Sequence, residues 1–200
     1  MRFLYYLYFV CISFLILSCN NITTKDDKAL YIKEIVDGNI ILENGKSEPV
    51  PNWNDANSTI LYIVRHAEKQ SDSADARLTL AGEMRAGRLA HLFKKTKLDD
   101  VITTNTFRTI LTGEPTQQMK SCNFVTYEAK NQDVMIRETL GRGPGKKFLV
   151  VGHSNTIPSL LNELTKTSDY HDIPSNEFDN IYVVATRGIS QTKVLHYKYK

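Results

Sequence analysis

Apolar residues along this chain occur in short uninterrupted runs and in longer segments with the spacing of a helix. Residues 60–64 and 148–151 are β-branched, aromatic or aliphatic without a polar interruption, which is typical of strands buried on both faces of a parallel sheet. The segment 78–93 instead contains Thr79, a residue type favoured at helix N-termini. Its apolar residues recur at roughly helical spacing, and they are Leu80, Met84, Leu89, Leu92 and Phe93. The pattern predicts buried strands with a covering helix between them.

The same alternation continues to the end of the chain. The further predicted elements are strands at 99–104 and 124–127, helices after 105, at 133–140 and after 155, and a closing pair of strands at 180–186 and 192–198 joined by the turn Arg187-Gly188. Strands that alternate with helices favour an α/β fold. We expect a three-layer sandwich with a mostly parallel central sheet, helices on both faces and an antiparallel hairpin at one edge.

The N-terminus has the pattern of an export signal. Met1-Arg2 precede an apolar run, 3–17, which ends at Ser18-Cys19 and is followed by polar residues. The run is shorter than the ~20 apolar residues that a spanning helix requires. Residues 1–19 resemble a bacterial lipoprotein signal, which implies a lipid on Cys19 and a location on the bacterial cell envelope. An ordinary signal peptide and an uncleaved anchor are the alternatives.

Residues 20–57 are predicted to be a linker with a small accessory β-hairpin around Asp37-Gly38, and 58–200 to be the main domain. Cys122 is the one cysteine left after the signal, so the sequence predicts neither a disulfide framework nor a zinc cluster. The net charge is +3, without a stripe of lysine and arginine interleaved with aromatics. Nucleic acid is therefore not expected as a partner.

Basic residues follow three of the predicted strands. Arg65 and His66 end the first buried run, Arg108 lies just past the next strand in the first turn of a helix, and His153 ends the run 148–151. The carboxyl ends of parallel strands lie at one edge of a sheet, where ligands bind in open α/β folds. Fixed cations beside an imidazole suit an anion, most obviously phosphate, with a histidine free to act as nucleophile.

The same residues resemble the motifs of the histidine phosphatase superfamily, the phosphoglycerate-mutase-like proteins. The matching segments are Arg65-His66-Ala67-Glu68, Leu78-Thr79 with Gly82, Asn105-Thr106-Phe107-Arg108-Thr109 and Gly152-His153-Ser154. They occur in the family's order, from about Thr59 to about Thr186. The absence of long insertions makes the chain most similar to the short bacterial phosphatases of the superfamily.

The resemblance implies a role for each matched residue. His66 would attack phosphorus and become phosphohistidine, while Arg65, Arg108 and His153 would bind the phosphoryl oxygens and stabilise the transition state. No metal or cofactor is implied, because the protein itself supplies the cations. The partner would be a phosphorylated small molecule or a phosphoprotein.

Two further residues are weaker candidates. Larger family members protonate the leaving group with a carboxylic acid, for which Glu128 is the first candidate here and Glu114 and Asp133 are the others. Some short members lack such an acid, which restricts them to substrates with good leaving groups. Asn155 is expected to contact substrate or to shape the pocket.

The sequence therefore predicts a metal-independent phosphatase that works through phosphohistidine. A non-catalytic phosphate-binding or scaffold lipoprotein with the same fold is the alternative. A phosphosugar mutase is a third hypothesis, which the export signal disfavours.

Overall fold

A computed structural model describes residues 30–200. Within that range the chain has an α/β fold, with a mixed sheet of nine strands and four α-helices. The predicted signal and Cys19 lie outside the described residues. No helix in the described range combines the length and apolar character needed to cross a membrane.

The strands are β1 (Tyr31–Val36), β2 (Asn39–Leu42), β3 (Ser47–Pro49), β4 (Thr59–Arg65), β5 (Asp100–Thr104), β6 (Asn123–Tyr127), β7 (Lys147–Gly152), β8 (Asn180–Thr186) and β9 (Thr192–Tyr199). The α-helices are α1 (Leu80–Leu92), α2 (Phe107–Lys120), α3 (Gln132–Arg142) and α4 (Thr156–Thr165).

The strands lie in the order β3-β2-β1-β9-β8-β4-β7-β5-β6. β4, β7, β5 and β6 are parallel to one another, whereas β8 is antiparallel to β4 and to β9. The carboxyl ends of the four parallel strands therefore share one edge of the sheet. That edge carries Arg65, Thr104, Tyr127 and Gly152 as the last strand residues.

The expectation of an edge hairpin at β8–β9 is wrong in position. The pair is antiparallel, but β1 adds to the free side of β9 in parallel, with Tyr31 opposite Lys198. The predicted hairpin around Asp37-Gly38 thus extends the main sheet, and the outer strands are β3 and β6. The turn residues predict only the local pairing of β1 with β2. They carry no information about which distant strand β1 joins.

Two large apolar clusters form most of the core, one on each face of the sheet, and a third, small one joins Ala67, Leu78 and Ala86. Tyr62 and Val64 of β4 pack in one cluster together with Leu89 of α1. Ile63, which points to the other face because side chains alternate along a strand, packs in the second cluster with Leu160 of α4. Both faces of β4 are buried, as its uninterrupted apolar sequence predicts.

The apolar face of α1 matches the predicted one at Leu89, Leu92 and Phe93, which are buried, but differs from it in the first half of the helix. Leu80 is 74% exposed and Met84 58% exposed, whereas Gly82, Ala86 and Leu89 are buried. The buried positions follow the spacing i, i+4, i+7, so the stripe facing the sheet begins with two small residues. A pattern of large apolar residues does not reveal this face. The small residues Gly82 and Ala86 allow the helix to lie close to the chain that follows β4.

We expect Gly82→Ala to destabilise the fold. A Cβ at this position would lie 2.3 Å from the backbone oxygen of Glu68, and a backbone atom cannot move aside as a side chain can. The free energy of unfolding should fall by about 2 kcal/mol, measured by urea denaturation. Gly87→Ala is the matched control, because a Cβ there meets no atom within 4 Å. It should raise stability by about 0.5–1 kcal/mol, and equal effects of both changes would contradict the close approach.

Candidate active site

The two predicted histidines meet at the carboxyl edge of β4 and β7. These strands are neighbours in register, with Arg65 opposite Gly152, and the backbone N–H of His66 donates to the carbonyl of Gly152 at 2.9 Å. The ring centroids of His66 and His153 lie 5.5 Å apart, with their planes inclined by 64°. A single tetrahedral anion can contact both rings at this separation.

His66 has the protonation state that a nucleophile requires. Its Nδ1 lies 2.8 Å from the carbonyl oxygen of Ala67, and since a carbonyl only accepts, Nδ1 must carry the proton. Burial lowers the pKa of His66 to about 3, and the positive charges of Arg65 and Arg108 lower it further. The hydrogen bond to the Ala67 carbonyl acts in the opposite direction and raises the pKa, but by less. The imidazole is therefore neutral at pH 7, with a free lone pair on Nε2.

A buried threonine holds the peptide that orients His66. The hydroxyl of Thr112 accepts the backbone N–H of Ala67 at 2.9 Å and donates to the carbonyl of Arg108 at 2.7 Å. The hydroxyl thus connects the first turn of α2 to Ala67, whose carbonyl accepts the hydrogen bond from His66. Sequence reasoning missed Thr112, although it follows Arg108 by four residues and so lies on the same helix face.

Arg65 is fixed by the loop before β8. Its Nη1 donates to the carbonyls of Pro174 at 2.8 Å, Ser175 at 3.2 Å and Glu177 at 2.9 Å, and its Cζ lies 4.4 Å from the ring centre of Phe178. We call residues 174–178 the Arg65 loop. Nε is buried and has no hydrogen-bond partner among the described residues. One end of the guanidinium is therefore anchored, and Nε has donor capacity that the described protein atoms do not use.

His153 is oriented from both sides. Its Nε2 lies 2.8 Å from the hydroxyl of Thr104, the last residue of β5, and its backbone N–H donates to Thr156 Oγ1 at 2.8 Å, where α4 begins. Burial lowers the pKa of His153 to about 4, and the positive charges of Arg108, Arg65 and Lys69 lower it further. Like His66, this imidazole is neutral at pH 7.

Arg108 lies in the first turn of α2, as the sequence predicts. Its Nη1 donates to the carbonyl of Ala74 at 2.7 Å, in the loop between β4 and α1. Its positive charge lowers the pKa of both His66 and His153. Arg108 therefore faces the same space as the two imidazoles, close to the α2 N-terminus, where backbone N–H groups favour an anion.

The remaining predicted site residues lie further from this cluster. Glu128 is exposed after the outermost strand β6, and its Oε1 accepts from Asn105 Nδ2 at 3.2 Å. Asp133 pairs with Arg137 at 3.0 Å on α3. Asn155 is exposed at the start of α4 and lines a groove of about 920 Å³ between α3 and α4, whose lining includes neither histidine.

Glu68, which follows the Arg65-His66 pair closely, is bound elsewhere. Arg85 holds its carboxylate through Nε at 3.0 Å and Nη2 at 2.8 Å. Lys69 pairs instead with Asp72 at 2.7 Å. Among residues 30–200 no three His, Cys, Asp or Glu side chains are grouped so as to hold a metal ion.

Solved structures with a similar fold include proteins described as phosphatases. Mycobacterial glucosyl-3-phosphoglycerate phosphatase superposes with a TM-score of 0.58 at 10% identity, covering 72% of this chain and 100% of that chain. The protein histidine phosphatase SixA complexed with tungstate superposes with a TM-score of 0.56 at 17% identity, covering 70% of this chain and 96% of that chain. No family sequence model matches the chain, and no curated protein matches it by sequence. At these identities the comparisons establish the fold, which histidine phosphatases share.

Proposed function

We propose that the protein is a metal-independent phosphatase that hydrolyses phosphoryl compounds through a phosphohistidine at His66. The observation that carries the proposal is the state of His66: a neutral imidazole with Nδ1 fixed and Nε2 free, beside two arginines and a second histidine. The phosphatase fold and the tungstate, an analogue of phosphate, in one similar structure support it.

The reaction has two displacements at phosphorus. The Nε2 lone pair of His66 forms the N–P bond while the bond from phosphorus to the leaving oxygen or nitrogen breaks. The proton stays on Nδ1, which donates its hydrogen bond to the Ala67 carbonyl throughout. Arg65, Arg108 and His153 stabilise the charge that spreads over the phosphoryl oxygens. Water then attacks phosphorus, the N–P bond breaks, and the proton of the water passes to solvent with the departing phosphate.

We infer that the site works without a carboxylic acid. The charged groups that shift the pKa of His66 and of His153 are all positive. The charges of Glu177 and Asp75 act on Arg65 and Arg108 respectively, but neither carboxylate is among the groups that act on the two imidazoles. Glu68, which follows His66 closely, is held by Arg85. A leaving group that departs without protonation is then required. Phosphohistidine, phosphoanhydrides and aryl phosphates meet this requirement, whether the substrate is a small molecule or a phosphoprotein.

The dependence on the leaving group tests the proposal. We expect turnover of p-nitrophenyl phosphate in the presence of EDTA, with an acid-labile, base-stable phosphoenzyme, and a fall in kcat/KM of about 10² or more for an alkyl phosphate, which needs protonation to leave. Glu128→Gln is the matched variant. It should change neither rate, whereas a loss confined to the alkyl phosphate would identify Glu128 as the acid. Phosphate binding without turnover or phosphoenzyme would show the non-catalytic alternative.

The proposed location rests on the N-terminal sequence. Residues 1–19 would direct export, and a lipid on Cys19 would hold the chain at the bacterial cell envelope. Residues 20–57, which include the sheet strands β1, β2 and β3, would lie between the anchor and the catalytic part, 58–200. Mass spectrometry of the mature N-terminus decides this, because an unmodified Cys19, or a mature chain that still carries residues 1–18, would contradict lipidation.

A further inference from the structure

Three threonine hydroxyls lie between the end of β5 and the first turn of α2. Thr104 Oγ1 is 2.8 Å from His153 Nε2 and 3.0 Å from Thr109 Oγ1, which is itself 2.9 Å from Thr106 Oγ1. Thr104 and Thr109 are fully buried, at 1% and 0% exposure. Each hydroxyl has one proton, so the direction of the hydrogen bonds can be worked out.

The proton of Thr109 goes to a backbone carbonyl. Its hydroxyl lies 2.7 Å from the carbonyl of Thr104 and 2.9 Å from that of Thr106, and a carbonyl cannot donate in return. Thr109 Oγ1 is then an acceptor, and the hydroxyl of Thr106 at 2.9 Å can supply the proton.

The proton of Thr104 then has two acceptors within reach, His153 Nε2 and Thr109 Oγ1, and the imidazole is the better one. The distance to His153 Nε2 is 2.8 Å, against 3.0 Å to Thr109 Oγ1, and an imidazole nitrogen accepts a proton more strongly than a hydroxyl oxygen does. A neutral imidazole that accepts at Nε2 must carry its own proton on Nδ1. Nδ1 makes no hydrogen bond within residues 30–200, so its N–H is available to a ligand.

We propose that Thr104 is a positioning residue for phosphoryl transfer, which donates to His153 Nε2 and so makes the neutral imidazole present Nδ1–H to a phosphoryl oxygen. The inference rests on the proposed function, because it assigns the donor that His153 uses there. Phosphoryl oxygens of a dianion only accept, so the other tautomer would direct a lone pair at them. Thr104 touches neither the substrate nor the reacting atoms and acts through His153.

The hydroxyl matters most where His153 is neutral. Arg65 and His66 after β4, Lys69 in the following loop and Arg108 on α2 face this imidazole, and His153 protonates only towards pH 4. Once both nitrogens carry protons, Nδ1 donates with or without Thr104. The contribution of Thr104 should therefore shrink as pH falls.

The test combines NMR with phosphate binding on the full chain. In the unliganded wild type, ¹⁵N spectra at pH 7.5 should show His153 with its proton on Nδ1. Thr104→Val, which keeps the shape and removes the hydroxyl, should mix the tautomers and raise the Kd for inorganic phosphate about tenfold at pH 7.5. The ratio of variant to wild-type Kd should fall towards one as the pH is lowered to about 4, where His153 takes up a second proton. Thr104→Ser should bind phosphate as the wild type does.

Several results would overturn the proposal. The first is a spectrum of the wild type that places the proton of His153 on Nε2, because His153 would then donate to Thr104 and not accept from it. This measurement requires no variant. A Kd ratio that is the same at every pH, or a defect that Thr104→Ser does not repair, would assign Thr104 to packing alone. Failure of the wild type to bind phosphate would instead contradict the proposed function, and the tautomer would still be decided by the spectra.

Discussion

Replacing His66 with alanine is expected to abolish the hydrolysis of p-nitrophenyl phosphate, with a loss in kcat/KM of about 10³-fold or more. In the proposed mechanism the imidazole accepts the phosphoryl group, and among the described side chains near the two arginines only His153 has another imidazole nitrogen. Nε2 of His153 is held by Thr104, so that ring is poorly placed to substitute. The phosphoenzyme should disappear together with turnover.

A matched control separates this loss from a general effect of removing a histidine. His91 is exposed on α1 and makes no contact with the site, so His91→Ala should keep wild-type kcat/KM. Circular dichroism should show both variants folded, because alanine at position 66 keeps the backbone bond to Gly152. Equal turnover by His66→Ala and the wild type would refute the assignment of the nucleophile.

Arg65→Lys is expected to lower kcat/KM by about 10²-fold, although the positive charge is kept. The guanidinium bonds three carbonyls of the Arg65 loop through Nη1 and still has Nη2 for a phosphoryl group. A lysine ammonium is a single point charge and cannot satisfy the loop and the ligand in this geometry together. The loss should appear in both kcat and KM, since the loop and the ligand compete for one group.

Arg88→Lys is the control for any general effect of replacing an arginine with a lysine. Arg88 is exposed on α1, and its replacement should leave steady-state kinetics unchanged. If Arg65→Lys also retained full activity, charge alone would account for the role of position 65, and the anchoring of the guanidinium by the loop would have no functional meaning.

Much of the candidate active site at the carboxyl edge of β4 and β7 could be predicted, because it depends on local sequence. The apolar run of β4 is long enough to require burial on both faces, and the same is true of β7. Once these two strands are parallel neighbours, the residues that follow them must meet. The proximity of His66 and His153 thus follows from two short motifs and one topological rule.

Other features depend on contacts between residues that are distant along the chain. The bonds from Arg65 to Pro174, Ser175 and Glu177 cross more than a hundred residues, and nothing near Arg65 indicates them. The placement of Glu128 is similar, because a carboxylate after a strand can face the site or solvent according to how far out its strand lies in the sheet. Here β6 is outermost, so Glu128 meets Asn105 and solvent.

The sequence by itself determined the class of fold, the buried strands and the residue types of the proposed phosphoryl-binding site, because hydrophobic periodicity and strand-end chemistry are local properties. Only the tertiary structure decided the protonation pattern of that site. The Ala67 carbonyl fixes His66, and the Thr104 hydroxyl fixes His153. Such hydrogen bonds depend on distances of a few tenths of an ångström between elements, which packing sets and no sequence motif records.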